Sequence, residues 1–124
     1  IGLESDLPVT RLAALIDQAG PVSAGAYYDL GNAAARGADA VKEILTLGSR
    51  LCGVHVKDRP RAGASVPLGA GAADFRACFQ ALAAVDYTGP LILETPAGTD
   101  PVSAARLNLS YLRTQLEALQ GTRS

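Results

Sequence analysis

Four residues whose side chains can bind a metal ion or carry a proton each follow a short apolar segment. They are Glu4, Asp29, His55 and Glu94. Each stands where a predicted β-strand ends. Because the carboxyl ends of parallel strands and the loops after them build the active sites of α/β folds, we expect these four side chains to converge on one point.

The chemistry of this set is that of a divalent metal site. Three carboxylates and one imidazole suit Mn²⁺, Mg²⁺, Co²⁺ or Zn²⁺. Without a cation, three neighbouring carboxylates would repel one another and raise their own pKa values, so a metal ion is the natural neutraliser. The alternative for any single residue is structural, as a core histidine or a helix cap. Their shared position at four strand ends favours the metal site.

An alternation of strands and helices must position these residues. Apolar patterning predicts strands over residues 1–5, 23–30, 51–56 and 91–94. Two helices are predicted over residues 8–19 and 38–47, and residues 31–37 are predicted to form a loop. A third helix should begin after Asp74 as its N-cap, and a fourth after Asp100-Pro101. The last helix should bury a stripe of residues 105, 109, 112, 116 and 119.

Four β-then-α units predict an α/β fold with a parallel sheet and right-handed crossovers. An open doubly wound sheet and part of a (β/α) barrel both fit this pattern. Strict alternation along the third strand would place His55, Gly53 and Leu51 on one face. Cys52 would then face the helices.

Composition excludes several classes of protein. The chain has 124 residues and a net charge of −1, without the basic stripe of a nucleic-acid-binding protein. No apolar run approaches the ~18 residues of a membrane span. Two isolated cysteines, Cys52 and Cys78, predict reduced, buried thiols in a cytoplasmic protein. The chain begins at Ile1 and contains no Met, so we expect that it is trimmed or that upstream sequence is missing.

Six segments together resemble one known family. They are GLE at 2–4, YDLGN at 28–32, GVHVKD at 53–58, VPLGAG at 66–71, DF at 74–75 and YTGPLILE at 87–94. This combination is similar to the sugar-phosphate isomerase/epimerase family of xylose-isomerase-like TIM barrels. The L-ribulose-5-phosphate and hexulose-6-phosphate 3-epimerase type is the most similar subgroup. The resemblance extends from the first segment to about Arg113.

The resemblance implies that residues 1–124 are a partial domain. A complete barrel has eight βα units in about 250 residues, and the four units here match the second half of the family. The N-terminal half would then be missing. Because a half-barrel exposes two strand edges, we expect a homo-oligomer or pairing with the missing half.

The resemblance also implies a function for particular residues. Glu4, Asp29, His55 and Glu94 match the divalent-metal ligands of the family. Glu4 and Glu94 also match its acid/base pair, which epimerises a keto sugar or sugar phosphate by proton transfer through an enediolate.

Residues near the strand ends are predicted to hold the substrate. Asn32 matches the epimerase subgroup, and Lys57 and Arg61 could hold a phosphate or carboxylate. Asp58 is expected to orient His55 or to belong to the loop. The backbone of Gly69-Ala70-Gly71 could cradle an anion or form only a turn.

Two other functions remain as alternatives. One is a non-catalytic, truncated remnant of the family. The other is a metal phosphodiesterase of the apurinic-site endonuclease type, which shares the barrel. A single histidine cannot build the multi-zinc centre of those nucleases, and the small net charge does not suit DNA. A small-molecule sugar or sugar phosphate is therefore the expected partner, without nucleic acid or membrane.

Overall fold

The computed structural model describes residues 1–121 and contains a four-stranded parallel sheet. The strands lie in the order β1-β2-β3-β4, and each neighbouring pair is parallel. Sequential order without a reversal is the winding of a barrel rather than of a doubly wound sheet. The strands are β1 Gly2–Leu3, β2 Gly25–Asp29, β3 Leu51–Val56 and β4 Leu91–Leu93.

Helices connect the strands and enclose the hydrophobic core with one face of the sheet. The fully buried residues include Ile16, Ile44, Val54 and Val56. Among the described residues, no helix combines the length and the apolar character needed to cross a membrane. The helices are α1 Val9–Ala19, α2 Leu30–Arg36, α3 Ala40–Leu47, α4 Phe75–Ala84 and α5 Pro101–Gly121, with a 3₁₀ turn at Gly48–Arg50.

The predicted loop over residues 31–37 is wrong, because α2 occupies most of it. The carboxylate of Asp29 accepts a hydrogen bond from the backbone N–H of Asn32 at 2.8 Å and so caps the helix. Gly37 ends the helix in the left-handed conformation, at φ +69°. Seven residues make only two turns, which is too short for an apolar periodicity to show.

Helix α5 packs the second half of its predicted stripe against the core, where Leu112 is buried and Leu116 and Leu119 are partly buried, but not the first half. Asp74 and Asp100 cap α4 and α5 as expected. Leu109, however, is 37% exposed, and Asn108 is buried instead. The side-chain oxygen of Asn108 accepts the backbone N–H of Leu68 at 2.9 Å. This polar contact to the loop after β3 sets the rotation of the helix.

The alternation of faces along β3 is broken at Cys52. Tyr27 of β2 pairs with Gly53 while the preceding residue pairs with Leu51, so Cys52 is an extra residue. Such a bulge shifts the residues before it to the opposite face. Leu51 therefore lies in the hydrophobic core, contrary to prediction, and Cys52 is exposed. Cys78 is buried as predicted, and burial raises its pKa to about 12.

The long loop between β3 and α4 is organised around Asp58, which is only 1% exposed. One carboxylate oxygen accepts the backbone N–H groups of Gly69 and Gly71, each at 2.9 Å, and the other accepts that of Ala73 at 3.1 Å. The expected backbone cradle therefore exists, but it holds a carboxylate of the same chain. Asp58 binds this loop rather than the imidazole of His55.

We predict that Asp58→Ala lowers the free energy of unfolding by about 2–3 kcal/mol, because three partly buried N–H groups lose their acceptor. Urea denaturation followed by circular dichroism measures this difference. Asp6→Ala is the control, since Asp6 is exposed and its ion pair with Arg36 lies at the surface. Its effect should stay within about 0.5 kcal/mol. Equal losses in the two variants would contradict the prediction.

Candidate functional site

The structure brings together all four ionisable residues predicted at the strand ends. Their side chains surround one atom, Nδ1 of His55. Oε2 of Glu4 and Oε2 of Glu94 each lie 3.4 Å from it, and Oδ2 of Asp29 lies at 3.7 Å. Three carboxylates therefore lie within 3.7 Å of one imidazole nitrogen.

The register of the sheet produces this convergence. Asp29 of β2 pairs directly with His55 of β3, and His55 pairs with Ile92 of β4. Glu94 follows two residues later, and its backbone N–H donates to the carbonyl of Val56 at 3.1 Å. Because residues two apart share a face of a strand, the side chains of these positions emerge on the same side.

The ring of Tyr27 packs beside the ring of His55. The two ring centroids are 5.1 Å apart at an interplanar angle of 46°. A Cβ atom on Gly2 of β1 or on Gly53 of β3 would collide with the tyrosine ring. The two glycines therefore let the ring lie across three strands, beside the imidazole.

Two buried atoms at this point have no hydrogen-bond partner among the described residues. They are Oδ2 of Asp29 and Nδ1 of His55. Buried polar atoms without partners are costly, and their presence points to a bound group. Ligand atoms of Glu4, Asp29 and His55 all lie within 4.8 Å of one another, so these three residues could hold a metal ion. Their oxygen and nitrogen donors fit a divalent cation.

Glu94 is not among the three residues whose ligand atoms all lie within 4.8 Å of one another, and its carboxylate is bound by Lys57. Nζ of Lys57 donates to Oε1 of Glu94 at 2.8 Å and lies 3.7 Å from Oδ2 of Asp29. This hydrogen bond lowers the pKa of Glu94 and raises that of Lys57. Glu94 is therefore ionised at neutral pH, as a metal ligand or a general base requires. The ammonium group offsets part of the negative charge.

Asn32 lies at the site, whereas Arg61 does not. Nδ2 of Asn32 donates to Oε1 of Glu4 at 3.2 Å, and its Oδ1 accepts from Nη1 of Arg59 at 2.8 Å. Arg61 is exposed and lies against Gly37 at the end of α2. Sequence patterns did not single out Arg59, because nothing in a loop sequence indicates which helix a long side chain will reach.

A family model described as "Xylose isomerase-like TIM barrel" matches residues 9–115. The chain belongs to this family. The match confirms the resemblance found in the sequence motifs, and it includes Asp29, His55 and Glu94. The strand-end cluster thus lies in a family fold whose active sites form at the carboxyl ends of the strands.

Individual relatives of this xylose isomerase-like chain are longer. It is 35% identical over 82 residues to the L-ribulose-5-phosphate 3-epimerase UlaE of Salmonella paratyphi A, covering 65% of this chain and 29% of the relative. A xylose isomerase domain protein from Planctomyces limnophilus is 25% identical with a TM-score of 0.74. That match covers 98% of this chain and 46% of the other.

A solved L-ribulose 3-epimerase shows the same fold at 21% identity. Its TM-score is 0.80, and the match covers 98% of this chain and 48% of that one. The chain therefore spans less than a third of the curated relative and about half of the solved barrels. This confirms the predicted fold class, in which consecutive parallel (β/α) units form half of a TIM barrel.

Proposed function

We propose that this xylose isomerase-like chain carries the metal and proton-transfer residues of an epimerase or isomerase of keto sugars or sugar phosphates. The observation that supports this most directly is the arrangement of three carboxylates around Nδ1 of His55. Two of them, Glu4 and Glu94, come from the opposite edge strands of the sheet. A substrate between them would meet a carboxylate on either side.

Glu4, Asp29, His55 and Glu94 are the proposed ligands of a divalent metal ion. Asp29 and His55 each offer a buried atom that has no hydrogen-bond partner among the described residues. A bound Mn²⁺, Mg²⁺, Co²⁺ or Zn²⁺ supplies positive charge where a substrate oxygen becomes negative as a neighbouring C–H bond loses its proton. The chain positions the ligands through the register of β2 and β3.

Glu4 and Glu94 are the proposed proton carriers. Each keeps one oxygen in a hydrogen bond, to Asn32 and to Lys57 respectively, and directs the other toward His55. Their side chains are 44% and 50% exposed, whereas that of Asp29 is 2% exposed. A substrate can therefore reach the two glutamates. Removal of a proton by one and return by the other on the opposite face inverts a carbon centre.

The substrate class follows from the relatives and from the cations near the site. The curated relative is named for a ketopentose phosphate, and two solved relatives are named for the unphosphorylated sugars ribulose and allulose. Asn32 and Lys57 are the proposed substrate contacts, because they contact Glu4 and Glu94, whereas Arg61 lies against the end of α2 and is proposed only as a contact for a substrate phosphate. The exposed Arg61 could bind a phosphate, but the glycine loop could not, because Asp58 already fills it.

We predict that the chain binds Mn²⁺ and that His55→Ala weakens this binding at least tenfold, because one ligand atom is lost. Isothermal titration calorimetry of the 124-residue chain measures both affinities. Glu117→Ala is the control, since it removes an exposed carboxylate from α5. Equal Mn²⁺ affinity in the parent and His55→Ala would remove His55 from the site.

We predict that Glu4→Gln and Glu94→Gln each lower the turnover of an eight-stranded barrel containing this segment by about 10²-fold or more, because each removes a proton carrier. Assays in D₂O with keto sugars and their phosphates should place deuterium at the exchanging carbon of the product. Glu117→Gln should leave the rate unchanged. Product without deuterium would indicate hydride transfer instead.

We further propose that the chain associates through its open sheet edges. Strands β1 and β4 each have a single neighbour in the described sheet. Beside β4, an apolar groove is lined by Leu93, Val102 and Leu109, and the last two are 61% and 37% exposed. Apolar surface in water costs about 25 cal/mol per Å², and unpaired strand edges favour pairing with another chain.

Sedimentation equilibrium at tens of micromolar should therefore show the isolated chain as a dimer or larger. Leu109→Lys should shift the equilibrium toward monomer, because it places a charge in the groove beside β4. Val22→Lys is the control, since Val22 is 98% exposed and lies before β2. A parent chain that stays monomeric and folded would contradict this proposal.

A further inference from the structure

Arg59 connects the loop after β3 to the side chain of Asn32. Its Nη1 donates to Oδ1 of Asn32 at 2.8 Å, and its Nε donates to the carbonyl of Gly63 at 2.7 Å. The backbone carbonyl of Arg59 also accepts the N–H of Ala72 at 2.9 Å. Both the guanidinium and the main chain of Arg59 are therefore fixed by the loop that Asp58 organises.

The contact with Arg59 determines which way the Asn32 amide points. An amide has one accepting and one donating end, and a guanidinium can only donate. Oδ1 of Asn32 must therefore face Arg59, which leaves Nδ2 to donate to Oε1 of Glu4 at 3.2 Å. If the amide turned over, its oxygen would face the carboxylate of Glu4 and repel it.

Asn32 is itself anchored at the base of α2. Its backbone N–H donates to Oδ1 of Asp29 at 2.8 Å. One residue thus contacts two members of the candidate metal group, Asp29 through its main chain and Glu4 through its side chain. A change in the orientation of the Asn32 amide would therefore change the hydrogen bond that holds Glu4.

We propose that Arg59 is a positioning residue that acts through Asn32 to hold Glu4 beside Nδ1 of His55. This rests on the proposed function, in which Glu4 is both a metal ligand and a proton carrier. We call this chain of contacts from Arg59 through Asn32 to Glu4 the relay. Within residues 1–121 Glu94 has no such relay, because the Lys57 ammonium bonds it directly at 2.8 Å. The two glutamates are therefore held by different means, one by a neutral amide and one by a cation.

A double-mutant cycle on Mn²⁺ affinity tests the relay in the 124-residue chain. Arg59→Met removes the donor to Asn32, and Asn32→Ala removes the donor to Glu4. Loss of partners that orient metal ligands typically weakens binding by about 10- to 100-fold, so we expect each variant to bind Mn²⁺ at least tenfold more weakly. The double variant should be no weaker than Asn32→Ala alone, because Arg59 then has nothing to act through.

Two further variants separate positioning from folding. Arg59→Lys keeps a donor and should recover part of the lost affinity, whereas Arg76→Met removes an exposed arginine from α4 and should change nothing. If Arg59→Met does not fold by circular dichroism, Arg59→Gln takes its place in the cycle. Parent affinity in Arg59→Met, or additive losses in the double variant, would overturn the proposal.

An NMR measurement without metal tests the contact of Arg59 with Asn32 independently of the proposed function. If the parent chain binds no Mn²⁺, the metal site is wrong, and the side-chain NH₂ resonances of Asn32 then decide the relay. With the relay present, these resonances shift and exchange faster with water in Arg59→Met than in Arg76→Met. Unchanged Asn32 resonances in Arg59→Met would overturn the relay itself.

Discussion

The mutual repulsion of three carboxylates around one imidazole is the constraint on which this structure depends. Left to themselves, the carboxylates of Glu4, Asp29 and Glu94 would repel one another and move apart. The parallel register instead brings their strand ends level around His55. Donors placed on the outer side of the cluster then hold the carboxylates in place. The inner oxygens remain available to a cation or a substrate.

These outer donors come from three different segments of the chain. Lys57 follows β3 directly, Asn32 lies in α2, and Arg59 lies in the loop that Asp58 closes. The buried carboxylate of Asp58 fixes a loop that contains no regular helix or strand. Its hydrogen bonds therefore contribute to the site without touching it.

Sequence patterns predicted the strands and the four residues at their ends, because a short apolar segment followed by an ionisable residue is a local feature of the chain. The helix α2 was missed since two turns leave no periodicity, and the face of Leu51 was wrong because of the bulge at Cys52. Contacts such as Arg59 with Asn32 join residues 27 positions apart. No local pattern encodes them, and only the fold decides which side chains meet.

The candidate ligands are divided between central and edge strands, and this division determines which of them can change position. Asp29 and His55 come from the two central strands, where neighbours on both sides fix the backbone. Glu4 and Glu94 follow the edge strands, and β1 pairs through only two residues. The backbone at Asp29 and His55 of the candidate site is thus fixed from both sides, whereas the separation of Glu4 and Glu94, the proposed proton carriers, depends on what packs against the edges. Under the proposed function, segments outside the candidate metal site would therefore set which carbon of a sugar lies between the two glutamates.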